Sequence, residues 1–434
     1  MNRGVKFVVM GASSVLVLAF LFGTVLARQV SPEDTYRHFA VYTEVLTRIK
    51  SEYVEEPDMR DVTLGALNGF LEAIDPYASY LDADQFSRYL KDQKTPKADL
   101  GLVLSRKVGY VSVVGAIAGS PADRAGLTTG DMIETIDGVA TRDMPLAYAE
   151  MLLRGKPGSE VAITVLRVRQ GAEPQEFKLA RAEVGFPPVT GEVLEGSIGL
   201  VRVRSLETGK TAEVAAQIRK LQAKGAQRFL LDLRNAAAGD PEEGLKLADV
   251  FLDEGLMAYL QGQTVARQDF RAAPDGDLAR LPLVVVTNRG TSRGAEIAAA
   301  ALLENKRCEV VGERSYGDAA QRKPVRLNDG GAVILSVAKY YSPSGKAIQD
   351  VGVTPSVVEI ARDPAGEAAE EDEPKIAPAP EPALRDDTIL KKAIEVLTKG
   401  APSNVAQGVN TLPGDAGGSW LSPRGVSRHP NEAH

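Results

Sequence analysis

Between Leu283 and Lys323 the chain carries the groups from which a nucleophilic site could be assembled: the hydroxyls of Thr291, Ser292 and Ser315, and the amine of Lys323. A hydroxyl is a weak nucleophile at its free pKa and needs a base within hydrogen-bond reach. Histidine is a poor candidate for that base. The chain has three, His38 in a predicted N-terminal helix and His429 and His434 in the last residues, and none has a partner pattern. Ser-His-Asp and Cys-His catalysis are therefore disfavoured, as is a His-based zinc site, and no metal or cofactor is expected. The single cysteine, Cys308, excludes an intramolecular disulfide and reads as a packed thiol beside a buried strand.

The elements that must position these groups are legible. Leu283-Val284-Val285-Val286 predicts a short buried strand, and Asn288-Arg289-Gly290 a turn. Thr291 or Ser292 can cap a helix running to about Asn305, and Glu309-Val310-Val311 predicts a second buried strand. A strand that stops in a tight turn and feeds a helix gathers free backbone N–H groups at one spot, which suits a nucleophile and its oxyanion hole. Upstream, strands at 198–203, 229–233 and near 256–261 alternate with helices at 210–224 and 242–253. That alternation predicts an α/β domain with a substantial parallel component.

The same stretch resembles the C-terminal processing (tail-specific) serine peptidases, which use a serine/lysine dyad. Their turn has the form N-x-G-[ST]-A-S-A-S-E-I, with the middle serine as nucleophile. A G-x-x-[ST]-[FY]-G-K-G stretch follows, whose lysine lies 25 residues later. Here the turn reads Asn288-Arg289-Gly290-Thr291-Ser292-Arg293-Gly294-Ala295-Glu296-Ile297, and the later stretch Gly312-Glu313-Arg314-Ser315-Tyr316-Gly317-Asp318-Ala319. The frame and spacing are kept, but the nucleophile position is Arg293 and the lysine position Asp318. The family's assisting glutamine falls on Arg322, with Gln321 adjacent. Ser292 is a fallback hydroxyl one residue off register. The family's L-R-x-N-P-G-G turn, part of the oxyanion hole, reads Leu233-Arg234-Asn235-Ala236-Ala237-Ala238-Gly239, so the oxyanion region would comprise Ala238, Gly239 and Gly294. Alanine reaches left-handed conformations less freely than glycine, so a donor geometry different from the family's is expected. Structural motifs persist, as in Tyr340-Tyr341-Ser342-Pro343-Ser344-Gly345 and Gly352-Val353-Thr354-Pro355. With the geometry of the dyad retained, Arg293 and Asp318 either pair, within about 4 Å, or both turn to solvent.

The resemblance implies a ββα-spiral (ClpP/crotonase-like) α/β peptidase core at 184–361, a small helical N-terminal domain at 32–95 and a PDZ domain at 97–183. The PDZ reading rests on Gly101-Leu102-Val103-Leu104, whose backbone donors would hold a peptide's terminal carboxylate. It rests also on Gly119-Ser120-Pro121-Ala122-Asp123-Arg124-Ala125-Gly126-Leu127 and on Gly130-Asp131. A bound peptide would add a strand to the sheet edge, against a helix at 146–154.

Residues 7–27 form an uncharged, largely apolar run after Arg3 and Lys6. About 20 such residues span a bilayer, so 1–28 is either an anchor or a cleaved signal peptide. Both place the rest in the cell envelope, on the periplasmic side. The acidic, proline-rich linker 362–385 cannot bury enough apolar surface to fold alone. A helix at 386–400 is expected to dock on the core, and 401–434 reads as a disordered tail. A formal charge of −7 without a basic block argues against nucleic acid.

Three kinds of function remain open, one of them purely structural, with neither peptide binding nor catalysis. Another is a non-catalytic relative that binds polypeptide C-termini through the PDZ groove, or that scaffolds an active envelope protease or a homo-oligomer. The third is a working peptidase with a relocated nucleophile.

Overall fold

The computed structural model describes residues 32–94, 98–107, 109–167, 173–274, 278–361 and 387–399. The expected anchor, linker and tail, with His429, His434 and the side chain of His38, lie outside the described residues. Among the described residues no helix is long and apolar enough to cross a membrane. Among the described residues, those up to Leu67 form one compact unit and those from Asn68 onward a second. The first holds α1 (Pro32–Glu52) and the start of α2 (Met59–Ile74).

The second unit continues through β1 (Ser79–Leu81) and α3 (Ala83–Lys94) into an antiparallel sheet of β2 (Leu102–Lys107), β3 (Tyr110–Ala116), β4 (Met132–Ile136), β5 (Val139–Ala140), β6 (Glu160–Leu166) and β7 (Gln175–Ala180). Its order is β2-β3-β4-β6-β7, with β5 on β4. Alternate residues Val111 and Val113, and Val161, Ile163 and Val165, turn inward and are buried, as a period of two requires, and an irregular register after Ile133 brings Ile133 and Ile136 to the same core. Two helices serve this sheet, α4 (Pro121–Arg124), capped by Ser120, and α5 (Leu146–Leu153).

The core follows as β8 (Thr190–Leu194), β9 (Ile198–Arg202), β10 (Ser205–Leu206), α6 (Lys210–Ala223), β11 (Arg228–Asp232), β12 (Ala238–Gly239), α7 (Pro241–Asp249), β13 (Leu256–Gln261), β14 (Gln268–Arg271), β15 (Leu283–Thr287), α8 (Gly294–Glu304), β16 (Glu309–Gly312), β17 (Ala320–Arg326), β18 (Ala332–Tyr341), β19 (Val357–Val358) and α9 (Thr388–Lys399). One sheet has the order β19-β16-β15-β11-β9-β8 and is parallel except for β8. Both of its faces are covered, so its central strands read as unbroken apolar runs. Val201, Leu231, Leu283 and Val285 face α6, α7 and α8, whereas Leu200, Leu230, Val284 and Val286 face Ile389, Leu390, Ala393 and Leu397 of α9. The C-terminal helix thus covers this face of the sheet. A second sheet, β1-β18-β13-β14 with β17 on β18, carries the strand that follows Asp318.

Candidate functional site

The cap of α8 differs from the expectation. Arg293 is the N-cap residue, and the Glu296 carboxylate reaches back to its N–H at 3.2 Å. Thr291 and Ser292 cannot cap because both hydroxyls are committed elsewhere. Thr291 Oγ1 donates to the Leu233 carbonyl at 2.9 Å and Ser292 Oγ to the Ala237 carbonyl at 2.8 Å, both from fully buried positions. With Ser292 N–H on the Ala236 carbonyl and the Asn288 side chain bonded to Asn235, they stitch the turn to the 233–239 loop. Gly290 fits this seam because a Cβ there would lie 2.8 Å from Asn235 Oδ1 and 2.9 Å from Thr129 Oγ1.

Arg293 sits at the tip of the turn with φ 54° and ψ −124°. Such backbone costs a non-glycine residue about 1–3 kcal/mol and persists only where its surroundings over-determine it. Here they do. Arg293 N–H donates to the Asp318 carbonyl at 3.0 Å, and Nε lies 3.1 Å from Asp318 Oδ2. Of the two arrangements expected from the spacing, the pairing is therefore the one present. The other Asp318 oxygen accepts from Arg322, whose guanidinium stacks 3.8 Å over the Tyr77 ring. Asp318 is buried, while the Arg293 side chain keeps 35% of its surface. Burial alone would raise the Asp318 carboxyl, but the Arg322 and Arg293 charges outweigh it and hold the pKa below the usual range. Arg293, Asp318 and Arg322 thus form one Arg–Asp–Arg cluster.

Beneath it lies Glu296, fully buried, accepting from Ser315 Oγ, from Gly317 N–H at 2.6 Å and from Asp318 N–H at 2.8 Å. Burial pushes its carboxyl up to about 8 despite these donors, and the neighbouring Asp318 charge adds to the rise. Ser315 also accepts the Val353 N–H at 2.7 Å, so its hydroxyl is a structural link like the other two. Lys323 lies exposed on β17.

The region expected to hold an oxyanion is assembled but filled. Ala238 and Gly239 pair in parallel with Ser205 and Leu206, and Gly294 packs on the Asp240 carbonyl, which a Cβ would approach to 2.4 Å. Ala236 and Ala237 N–H groups point back to the Leu233 and Asn235 carbonyls. The methyls of Ala237 and Ala238 form an apolar seam with Val103 and Val114 of the six-stranded antiparallel sheet, beside Tyr316. Ser105 on β2 hydrogen-bonds the Tyr316 hydroxyl, which latches that domain to the loop carrying Asp318.

On the far side of β2 runs a small groove lined by Leu100, Leu102 and Leu104, facing Glu150, Leu153 and Arg154 at the end of α5. Gly101 opens it with φ 75°, against Ser120, where a Cβ would meet another Cβ at 2.3 Å. Val103, grouped with these residues from sequence, turns its side chain away into the alanine seam, because neighbouring strand residues face opposite sides.

Residues 197–358 match the profile of peptidase family S41, and residues 112–167 that of PDZ domains. A carboxy-terminal-processing protease of Bartonella bacilliformis is 30% identical over 369 residues, spanning 82% of this chain and 83% of its own length. The carboxy-terminal processing protease CtpA of Bacillus subtilis is 27% identical over 347 residues, spanning 80% and 74%. The solved photosystem II D1 C-terminal processing protease superposes with a TM-score of 0.61 at 25% identity, covering 74% of this chain and 92% of that one. The chain belongs to peptidase family S41.

As a member of S41 with a PDZ domain, it keeps the strand–turn–helix frame of the site while its ionic content differs from a serine/lysine dyad. Sequence reasoning found Arg293 and Asp318 through their spacing. It flagged Arg322 but not its bond to Asp318. That bond depends on a register irregularity between Gln321 and Arg322 where β17 meets β18, and such a bulge re-aims a side chain without a sequence signature of its own.

Proposed function

We propose that this S41 member is a non-catalytic protein of the cell envelope that binds polypeptide C-termini through its PDZ groove. The observation that carries the reading is the Arg293–Asp318–Arg322 cluster, at the positions that the resemblance assigns to nucleophile, base and assisting amide. A buried carboxylate held by two guanidiniums neither attacks a carbonyl as an alkoxide would nor takes a proton from a hydroxyl at neutral pH. A relocated nucleophile finds little support, since Thr291, Ser292 and Ser315 are buried and each hydroxyl is bonded to an internal acceptor. The groove between β2 and α5 supports peptide binding, because β2 is a sheet edge open to strand addition. Residues 7–27 support export, either anchored or cleaved. A protein that binds termini without cutting them could hold substrates for an active envelope protease or assemble with its own copies.

The test incubates purified residues 29–434 with an unfolded polypeptide ending in small apolar residues and follows cleavage and binding together. Binding without cleavage, lost in Leu102→Asp, is the expected result. Turnover accompanied by labelling with a covalent serine-directed probe would sink the reading.

A further inference from the structure

The groove contains a carboxylate of its own. Asp99 lines it alongside Leu100 and Leu102, and its Oδ1 accepts the Gly101 N–H at 2.6 Å. Gly101 begins the stretch whose backbone donors would hold a peptide's terminal carboxylate. We propose that Asp99 is a built-in occupant of this carboxylate loop, so that an incoming C-terminus must displace its side chain to bind. The inference rests on the reading of the groove as a C-terminus site and specifies how that site is guarded.

The backbone around Asp99 is fixed, which delivers the side chain to one place. Asp99 N–H and carbonyl both bond Ala182, each at 3.0 Å, and the Ala98 carbonyl accepts from Gly155 at 2.9 Å. On the other side the Leu100 carbonyl accepts from Ala122 at 3.0 Å and the Gly101 carbonyl from Ile117 at 2.8 Å. The carboxylate itself is only half-buried, so it can swing out by side-chain rotation without unpicking these bonds. Two carboxylates cannot share one N–H, and like charges at one site repel. Glu150 on the facing helix adds a second negative charge, and Arg154 is the positive group among the lining residues. A free C-terminus therefore meets competition, whereas an amidated end, which brings no charge, neither needs the Gly101 donor as strongly nor repels Asp99. Charged and neutral ends of one peptide become similar ligands.

The experiment titrates the full chain, purified in mild detergent, with a fluorescein-labelled decapeptide ending in Ala-Ala as the free acid and as the amide. Wild type is expected to bind the two within about threefold. Asp99→Ala frees a charge-assisted donor and is expected to tighten the acid by about tenfold or more, leaving the amide unchanged. Asp99→Asn removes the charge but keeps an acceptor for Gly101, so a smaller gain is expected. Equal gains from Asn and Ala would mean charge alone acts and would overturn the occupancy claim. A wild type that already prefers the acid, with no gain in either variant, would also overturn it, while leaving the groove reading intact. No binding of either peptide by any variant would remove the groove reading, and the proposal with it. If Asp99→Ala does not fold, the Gly101 amide resonance of 15N-glycine-labelled wild type decides. It must move on saturation with the acid and not with the amide, and a still resonance with bound acid counts against displacement.

Discussion

Nε of Arg293 lies 3.1 Å from Oδ2 of Asp318, and the two residues are joined a second time through their backbones, N–H to carbonyl, at 3.0 Å. The double link holds the tip of the β15–α8 turn against the loop that precedes β17. A serine at position 293 would lose the side-chain half of that link and would face a carboxylate still bound to Arg322.

Arg293→Ser is therefore expected to create no protease. It should also destabilise the fold by about 1–3 kcal/mol, since a buried carboxylate loses one of two partners and the arginine was partly exposed. Casein degradation and urea denaturation measure the two effects. The fairer rescue combines Arg293→Ser, Asp318→Lys and Arg322→Gln, with Ala236–Ala238 still filling the oxyanion region. Cleavage by the single variant would refute the account of the cluster.

Acid should unfold the core in a range set by Asp232. This fully buried carboxylate is penalised by burial, yet Arg234 and Arg204 bring it down to about 2 from an ordinary 3.8. The folded value is the lower one, so its stability contribution is present above about pH 4 and is lost as the pH falls toward 2. The shift corresponds to about 2 kcal/mol. Glu296, raised to about 8, acts with the opposite sign, and its contribution declines as pH rises from about 4.5 to 8. Urea midpoints at pH 5 and pH 3 should fall more for wild type than for Asp232→Asn. Parallel falls would show that Asp232 does not set the acid limb.

The C-terminal helix should detach when its clamp is cut. Arg234 Nη1 holds Asp387 Oδ2 at 2.8 Å, and the other Asp387 oxygen caps α9 through the Leu390 N–H at 2.9 Å. Asp387→Ala removes the cap and the ion pair together, a loss of about 1–2 kcal/mol. Hydrogen exchange across 388–399 should quicken by about tenfold, with 111–116 unaffected. Unchanged exchange in α9 would mean that Ile389, Leu390, Ala393 and Leu397 alone retain it.

Much of this arrangement could be read from the chain because it is local. Val284–Val286 and Leu230–Leu231 announce buried parallel strands by composition, and the 25-residue interval between Arg293 and Asp318 is fixed by one helix and one strand. What escaped is non-local. Nothing near Ser292 signals that the Ala236 and Ala237 carbonyls, 55 residues away in the case of Ala237, will take its N–H and hydroxyl. The turn of Arg322 toward Asp318 depends on an irregular pairing with β18. Asp99 reads as an ordinary loop acid until the groove is seen around it.

The cluster at the turn also acts as a ratchet on sequence change. Replacing Arg293 alone leaves Asp318 with one cation. Replacing Asp318 by lysine alone sets three cations side by side, and replacing Arg322 alone bares half of a buried carboxylate and the Tyr77 ring beneath it. Each single step toward a serine and a lysine is thus expected to cost stability, so reaching that pair requires change at separate codons together. Charges that hold one another in place tie the three positions into one unit of sequence change.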